Sequence, residues 1–305
     1  GADSFYVRVN LDLFLHDEPG LRVTCNDILH VTDTRYNGKY QWRCARVDTH
    51  SAKPLQSGAV PNFNRAQQLL LVKLQTIALQ QQDRKKKVRQ SLFFCLTVLS
   101  QCYSLIRVCV CVCVCVCHEE HLIPYSLVQP MQVECKRPVI FSPSVLSHGL
   151  IERLLQPADS GLHFNTCPPA SEHKDKSVFL LDQRHDSDHT LGIRLQSIQE
   201  VIKQDKNCLL QLSVSSVDAL LKHGVYPIII HIKPKDKKGR KFRKLLSCTQ
   251  ETDVMEVVRV EELQLEPLPL MFSTLQPSDW SSTDELVHIV RQTIHAQQGA
   301  LTWLE

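Results

Sequence analysis

Three short apolar runs constrain the fold of this chain most: "RPVIF" from Arg137, "NCLLQLS" from Asn207 and "YPIIIHI" from Tyr226. Their apolar stretches do not alternate with polar residues, so strands built from them must be covered on both faces. What lies between them is helical. After "RPVIF", Ser142 is an N-cap candidate with Pro143 at N1, and "SVLSHGLIERLLQ" carries a helix that Pro157 stops. "SVDALLKHG" is a second helix, ending on Gly224 at C′. Strand, helix and strand in this order predict a parallel sheet sandwiched between helices.

The chain does not begin this way. Residues 4 to 63 are β-rich: "SFYVRVNL" alternates, and "LRVTCNDILHVTD" reads as strand, turn at Asn26-Asp27 and strand. Asn37-Gly38 then makes a hairpin turn between "HVTDTRY" and "YQWRCARV". Short strands so closely spaced suggest a small barrel. Past Pro61 the period changes, and Ala66, Leu70, Leu74, Ile77 and Gln81 fall on one face of an amphipathic helix that runs out in "DRKKKVRQ". Near the C-terminus a mixed helix is expected from Arg240 to Leu265. Another follows in "SSTDELVHIVRQTIHAQQG", capped by Ser282, with Leu286, Ile289, Val290, Thr293 and Ile294 on one face. The tail "LTWLE" reads as a strand that needs a sheet to join.

At 305 residues the chain has room for about two domains. Its 43 % apolar and 22 % charged residues are those of a folded protein, and a net charge of +3 gives no field that would draw nucleic acid. Five of the 13 cysteines lie in the repeat "RVCVCVCVCVC", Arg107 to Cys117, and the rest are scattered, which points to a reducing compartment. The opening "GADSFYVRVNLDL" is no signal peptide and reads as a domain already under way, a piece of something longer.

"CNDILHVTD", "YQWRCARV" and "GAVPNFNRAQQ" resemble the SH3 domain of membrane-associated guanylate kinase homologues (MAGUKs). "NCLLQLSVSSVDALLKHGVYPIIIHIKP" resembles the core of their guanylate kinase-like domain. More narrowly, "RAQQLLLVKLQ", "LIPYSLVQP", "RPVIFSPSVL" and "KFRKLL" resemble the CARMA family, cytoplasmic scaffolds that carry a CARD, a coiled coil, a PDZ domain and this SH3 plus guanylate kinase pair. The resemblance implies a split SH3-like barrel over residues 1–64, closed by residues 301–305 around Leu301 and Trp303. A hook helix and low-complexity linker would occupy 65–120, and a three-layer α/β guanylate kinase-like domain 121–300.

Phosphoryl transfer requires a glycine-rich loop whose amides reach the phosphates, a lysine and a hydroxyl, in the pattern G-x-x-x-x-G-K-[ST]. The equivalent stretch here is "FSPSVLSHGL". No glycine precedes Ser142, and Ser147 and His148 stand in the lysine region. Val145 and Leu146 bring β-carbons where amides should face a ligand, and Gln211 replaces the acid that family kinases carry after the second strand's "LL" pair. A degenerate loop formed by Ser142, Pro143, Ser144, Ser147 and His148 is therefore expected to be non-catalytic, with no cofactor and no small-molecule substrate. Between Gly161 and Ile193 the arginine and tyrosine pattern that grips a nucleotide in active relatives is absent, and a loop or small lobe is expected.

The SH3 groove is reduced as well. Trp42 and Pro61 stand at groove positions, but "RVNLDL" replaces the usual "ALYDY" and Asn64 replaces the late tyrosine. One aromatic wall does not make two proline slots, so Trp42 is expected to pack on neighbouring residues. "KPKDKKGRKFRKLL" carries Lys237, Lys238, Arg240, Lys241, Arg243 and Lys244 as a candidate patch for anionic lipid or a phosphorylated partner, with a solvated helix face as the plain alternative. "HDSDH" places His185 and His189 at i and i+4 like a zinc pair but brings no third ligand, and the C-x-C register before "CHEEH" defines no single site, so no metal is expected.

The stretch from Ser91 to Cys117 is long and apolar enough for a bilayer span. A span there would part the barrel from its own last strand, which argues against it. As a strand it would be a sticky, oxidisable edge. Since a TG dinucleotide repeat encodes Cys-Val without end, it reads best as translated simple repeat, either retained intronic sequence or an insertion in the linker between the two domains.

The function implied is that of a scaffold module acting through protein contacts and self-association, including a domain-swapped dimer. Its cytoplasmic parent would be recruited peripherally to the plasma membrane in CARD-dependent NF-κB signalling. A peptide- or phosphopeptide-binding adaptor of a cell-junction MAGUK, and a residual guanylate kinase, are the competing readings.

Overall fold

A computed structural model describes residues 4–10, 20–72, 123–171, 178–180, 191–236, 239–246 and 254–305. Two compact units divide the chain, one of Gly1–Pro130 with Trp303–Glu305, the other of Met131–Thr302.

The first unit is built on β1 (Phe5–Val9), β2 (Ile28–Asp33), β3 (Gln41–Val47), β4 (Pro54–Pro61), β5 (Tyr125–Met131) and β14 (Thr302–Leu304), in the order β14-β5-β1-β2-β3-β4. Every strand pairing from β5 to β4 is antiparallel. Val7, Val9, Leu29, Val31, Cys44 and Val60 turn one face inward to a common core. The β2–β3 turn has both Asn37 (φ 51°) and Gly38 (φ 101°) in the left-handed region, as the Asn-Gly pair predicts. Helix α1 is described over 63–72, with Ala66 and Leu70 buried. The remainder of the expected helix, the basic run and the Cys-Val repeat lie outside the described residues.

Two expectations fail here. "LRVT" from Leu21 is not a strand: the Asp27 carboxylate accepts from the Thr24 amide, and Asn26 has φ 72°. This turn takes the backbone off the ladder even though Leu21 and Val23 are buried. The second concerns Tyr125–Met131, which the sequence reading gives to the second domain. It is β5, pairing with β1 from Tyr6↔Val128 to Val9↔Tyr125. Burial of Tyr125 and Val128 in this sheet holds it there.

The second unit has a five-stranded parallel sheet of β6 (Val139–Ser142), β7 (Phe164–Thr166), β11 (Asn207–Leu210), β12 (Ile228–Ile232) and β13 (Ser273–Leu275), in the order β13-β12-β6-β11-β7. The three apolar runs are its three central strands, and every residue of β6, β11 and β12 is buried. The helices are α2 (Ser147–Leu154), α3 (Leu195–Lys203), α4 (Val217–Lys222), α5 (Val254–Leu265) and α6 (Thr283–Gln298). Phe141, Leu150, Ile230, Phe242, Trp280 and Val290 are among the residues that fill the core beneath them. Between β7 and α3 the chain makes a small lobe of β8 (Ala170–Ser171), β9 (Val178–Leu180) and β10 (Leu191–Arg194), ordered β8-β10-β9.

Two further expectations are corrected. Ser142 is no helix cap: it ends β6, and Pro143, after a cis peptide bond, precedes a 3₁₀ turn at Ser144–Leu146. The mixed helix from Arg240 to Leu265 is two elements, a 3₁₀ turn at Arg240–Lys244 entered through Gly239 at φ 61°, and α5. Ser282 does cap α6, its hydroxyl accepting from the Glu285 amide at 3.2 Å.

Candidate functional site

In an open parallel sheet, ligands bind beyond the carboxyl ends of the strands where the chain order reverses. Here that place is the end of β6, because the chain goes from β6 to β7 and β11 on one side, then to β12 on the other. The residues expected to form a degenerate phosphate loop stand at this point. Ser142 and Ser147 are fully buried, while Ser144 and His148 are less so.

The backbone amide after Pro143 is engaged within the chain itself. The Ser144 amide donates to both oxygens of Glu261, at 2.9 and 3.0 Å. Glu261 is 4 % exposed and reaches in from α5. A side chain of the chain itself thus takes up the amide at the end of β6, the kind of group that holds an anion in sites of this type. Gly149, the one glycine of the stretch, serves packing instead: a β-carbon there would fall 2.0 Å from the Leu245 carbonyl oxygen.

Next to this contact, Ser142 Oγ lies 3.3 Å from His231 Nδ1, and His231 Nε2 lies 3.3 Å from Glu262 Oε1. Burial first, and the nearby Lys233 second, hold the imidazole down to about 4. Burial and then Glu266 push the Glu262 carboxyl up to about 7. Between these values the pair is a neutral imidazole beside a neutral acid. Neither Glu261 nor this pair is visible in the sequence pattern, because both carboxylates look like the solvated face of a helix until α5 is seen lying over β6 and β12.

In the first unit, Trp42 does pack on neighbours: its ring lies 5.6 Å from Phe5 and 5.5 Å from Tyr125. The Tyr125 hydroxyl donates to the Pro61 carbonyl at 2.9 Å. Tyr125, absent from the sequence-level account of the groove, is 3 % exposed, so it adds no open wall for a proline-rich ligand. Leu301 precedes β14 and is half-buried. Trp303 is 2 % exposed, donates from Nε1 to the Thr49 carbonyl at 2.7 Å, and packs edge-on against Tyr6 at 5.2 Å. The buried Arg8 guanidinium pairs with Glu305.

Of the basic patch, Arg240, Lys241, Arg243 and Lys244 are exposed around buried Phe242 and Leu245, as their interleaving predicts. Lys237 and Lys238 lie outside the described residues, as do "HDSDH" and "CHEEH". Among the described residues no cluster of His, Cys, Asp or Glu could hold a metal ion, and no helix is long and apolar enough to cross a membrane.

The chain is 30 % identical to mouse caspase recruitment domain-containing protein 14 over 332 residues, covering 100 % of the chain and 32 % of that relative. The human protein of the same name is 28 % identical over 325 residues with the same coverage. This is a CARMA-type SH3 plus guanylate kinase-like module. Within the CARMA-type chain, a guanylate kinase family model matches residues 172–275, a stretch that begins downstream of β6 and α2. Rat tight junction protein ZO-1 is 25 % identical over 310 residues, 99 % of the chain and 16 % of that protein, so the chain spans a third or less of these relatives. A solved SH3-kinase fragment of tight junction protein 3 aligns with 99 % of the chain and 100 % of that fragment, at 18 % identity and a TM-score of 0.40. The likeness to caspase recruitment domain-containing protein 14 and to ZO-1 makes the chain a MAGUK-type scaffold module.

Proposed function

We propose that the module is non-catalytic and works through contacts between SH3 and guanylate kinase-like domains, within one molecule and between molecules. In the parent scaffold it supports oligomerisation in CARD-dependent NF-κB signalling, in the cytoplasm and at the plasma membrane, to which the parent is recruited peripherally. The observation that carries the non-catalytic reading is Glu261 on the Ser144 amide. Phosphoryl transfer depends on positioning and on stabilising charge, and a carboxylate fixed on the amide at the end of β6 works against both.

The self-association reading is supported by β14. Trp303 and Glu305 are tied to Thr49 and Arg8 by contacts that another molecule's tail could make equally well, which is the requirement for strand exchange. Titration calorimetry with ATP and with GMP at millimolar concentration tests the non-catalytic reading. No heat of binding is expected from either. Saturable heat with both, together with phosphate transfer to GMP, would overturn it.

A further inference from the structure

Cys167 and Cys208 occupy the neck of the small lobe. Cys167 follows the last residue of β7, where the chain leaves the five-stranded sheet for the lobe, and Cys208 lies in β11, where the chain has returned to it through α3. Their sulfurs are 3.4 Å apart and both thiols are free. The two positions differ in access: Cys208 is 0 % exposed and Cys167 8 % exposed. From the geometry we infer that the pair is a redox modification site, oxidised to a disulfide by hydrogen peroxide and reopened by a dithiol reductant.

The roles follow from the hydrogen bond between the thiols. With Cys208 as donor, the Cys167 sulfur is the acceptor, which lowers the Cys167 thiol against the opposing effects of burial and Glu200. The same bond, with burial, raises Cys208. Cys167, the more accessible sulfur and the one that more readily forms thiolate, attacks the peroxide oxygen; the O–O bond breaks and one water leaves as Cys167 becomes a sulfenic acid. The Cys208 sulfur then attacks the Cys167 sulfur, the S–O bond breaks, a second water leaves and the S–S bond forms. Two thiols and one peroxide thus give one disulfide and two waters. The sulfurs close from 3.4 Å to about 2.05 Å.

The bond encloses residues 168–207, which include β8, β9, β10 and α3, in a covalent loop. Local opening of the lobe from the sheet is then restricted. Rare disulfides in reducing compartments are mostly transient and redox-sensing, and this pair fits that use.

The test treats the full 305-residue chain with one equivalent of hydrogen peroxide, alkylates remaining thiols and maps non-reduced peptides by mass spectrometry. The expected product is a Cys167–Cys208 linked peptide, lost on adding dithiothreitol. Amide exchange at β7 and β10 is expected to slow about tenfold or more on oxidation. In Cys208→Ser, dimedone should label Cys167, and in Cys167→Ser, Cys208 should stay reduced. The proposal is overturned if the linked peptide is absent, if Cys167 links as readily to other cysteines, if dimedone finds Cys208 first, or if exchange is unchanged. The wild-type peptide map decides the matter if either variant fails to fold.

Discussion

His231 and Glu262 face one another at 3.3 Å with their pKa values moved in opposite directions. For His231, held down to about 4, the unfolded chain binds the extra proton as pH falls from about 6.5, so this residue makes stability fall toward acid. For Glu262, raised to about 7, the folded chain holds the extra proton between about 4.5 and 7, so this residue makes stability fall as pH rises. Over the shared window of about 4.5 to 6.5 the two slopes oppose each other. Urea midpoints across that window should therefore change little for these two groups in the wild type. They should fall with rising pH in His231→Gln and rise with rising pH in Glu262→Gln; parallel profiles for all three proteins would refute the pairing. Gly149 gives a second expectation. Gly149→Ala places a methyl 2.0 Å from a backbone oxygen, so α2 or Leu245 must move, and a loss of about 1–3 kcal/mol is expected from denaturant unfolding. None of these contacts is legible in the sequence, since they join residues on α5 and near 245 to β6, β12 and α2, and local periodicity carries no record of which helix lies over which strand.

Among the elements, legibility followed burial. β6, β11 and β12 are buried on both faces and so appear as unbroken apolar runs, and Gly224 at φ 71° closes α4 as its position implies. The capping serine of α6 was equally plain, because the cap is a local hydrogen bond between neighbours in sequence. Glu285 strengthens it by accepting from the Ser281 amide at 2.7 Å. Ser282→Ala should cost about 1 kcal/mol in denaturant unfolding, with Ser282→Asp recovering most of it; equal stability of Ser282→Ala and wild type would show that the cap contributes nothing. β5 is hidden in the sequence for the opposite reason. It has Pro130 inside it and a half-buried pattern, and only its pairing with β1 and the place of Tyr125 beside Trp42 make it a strand of the first sheet. The 3₁₀ turn after Gly239 broke an expected helix because Phe242 and Leu245 keep helical spacing in either conformation.

Across the chain, the first sheet is assembled from three separated stretches: residues 5–61, 125–131 and 302–304. The tail could be read as a strand in need of a partner. Its attachment could not, because Glu305 on Arg8 and Trp303 on Thr49 connect residues about as far apart as the chain permits. A sheet whose edge strand arrives after a whole second domain has the connectivity that strand exchange requires, and the proposed self-association rests on it. Sedimentation equilibrium and urea unfolding of the chain with and without Leu301–Glu305 put this to the test. The full chain is expected to associate reversibly, while the truncated chain is monomeric and has a destabilised first unit. A truncated chain of unchanged stability and unchanged association would contradict this expectation.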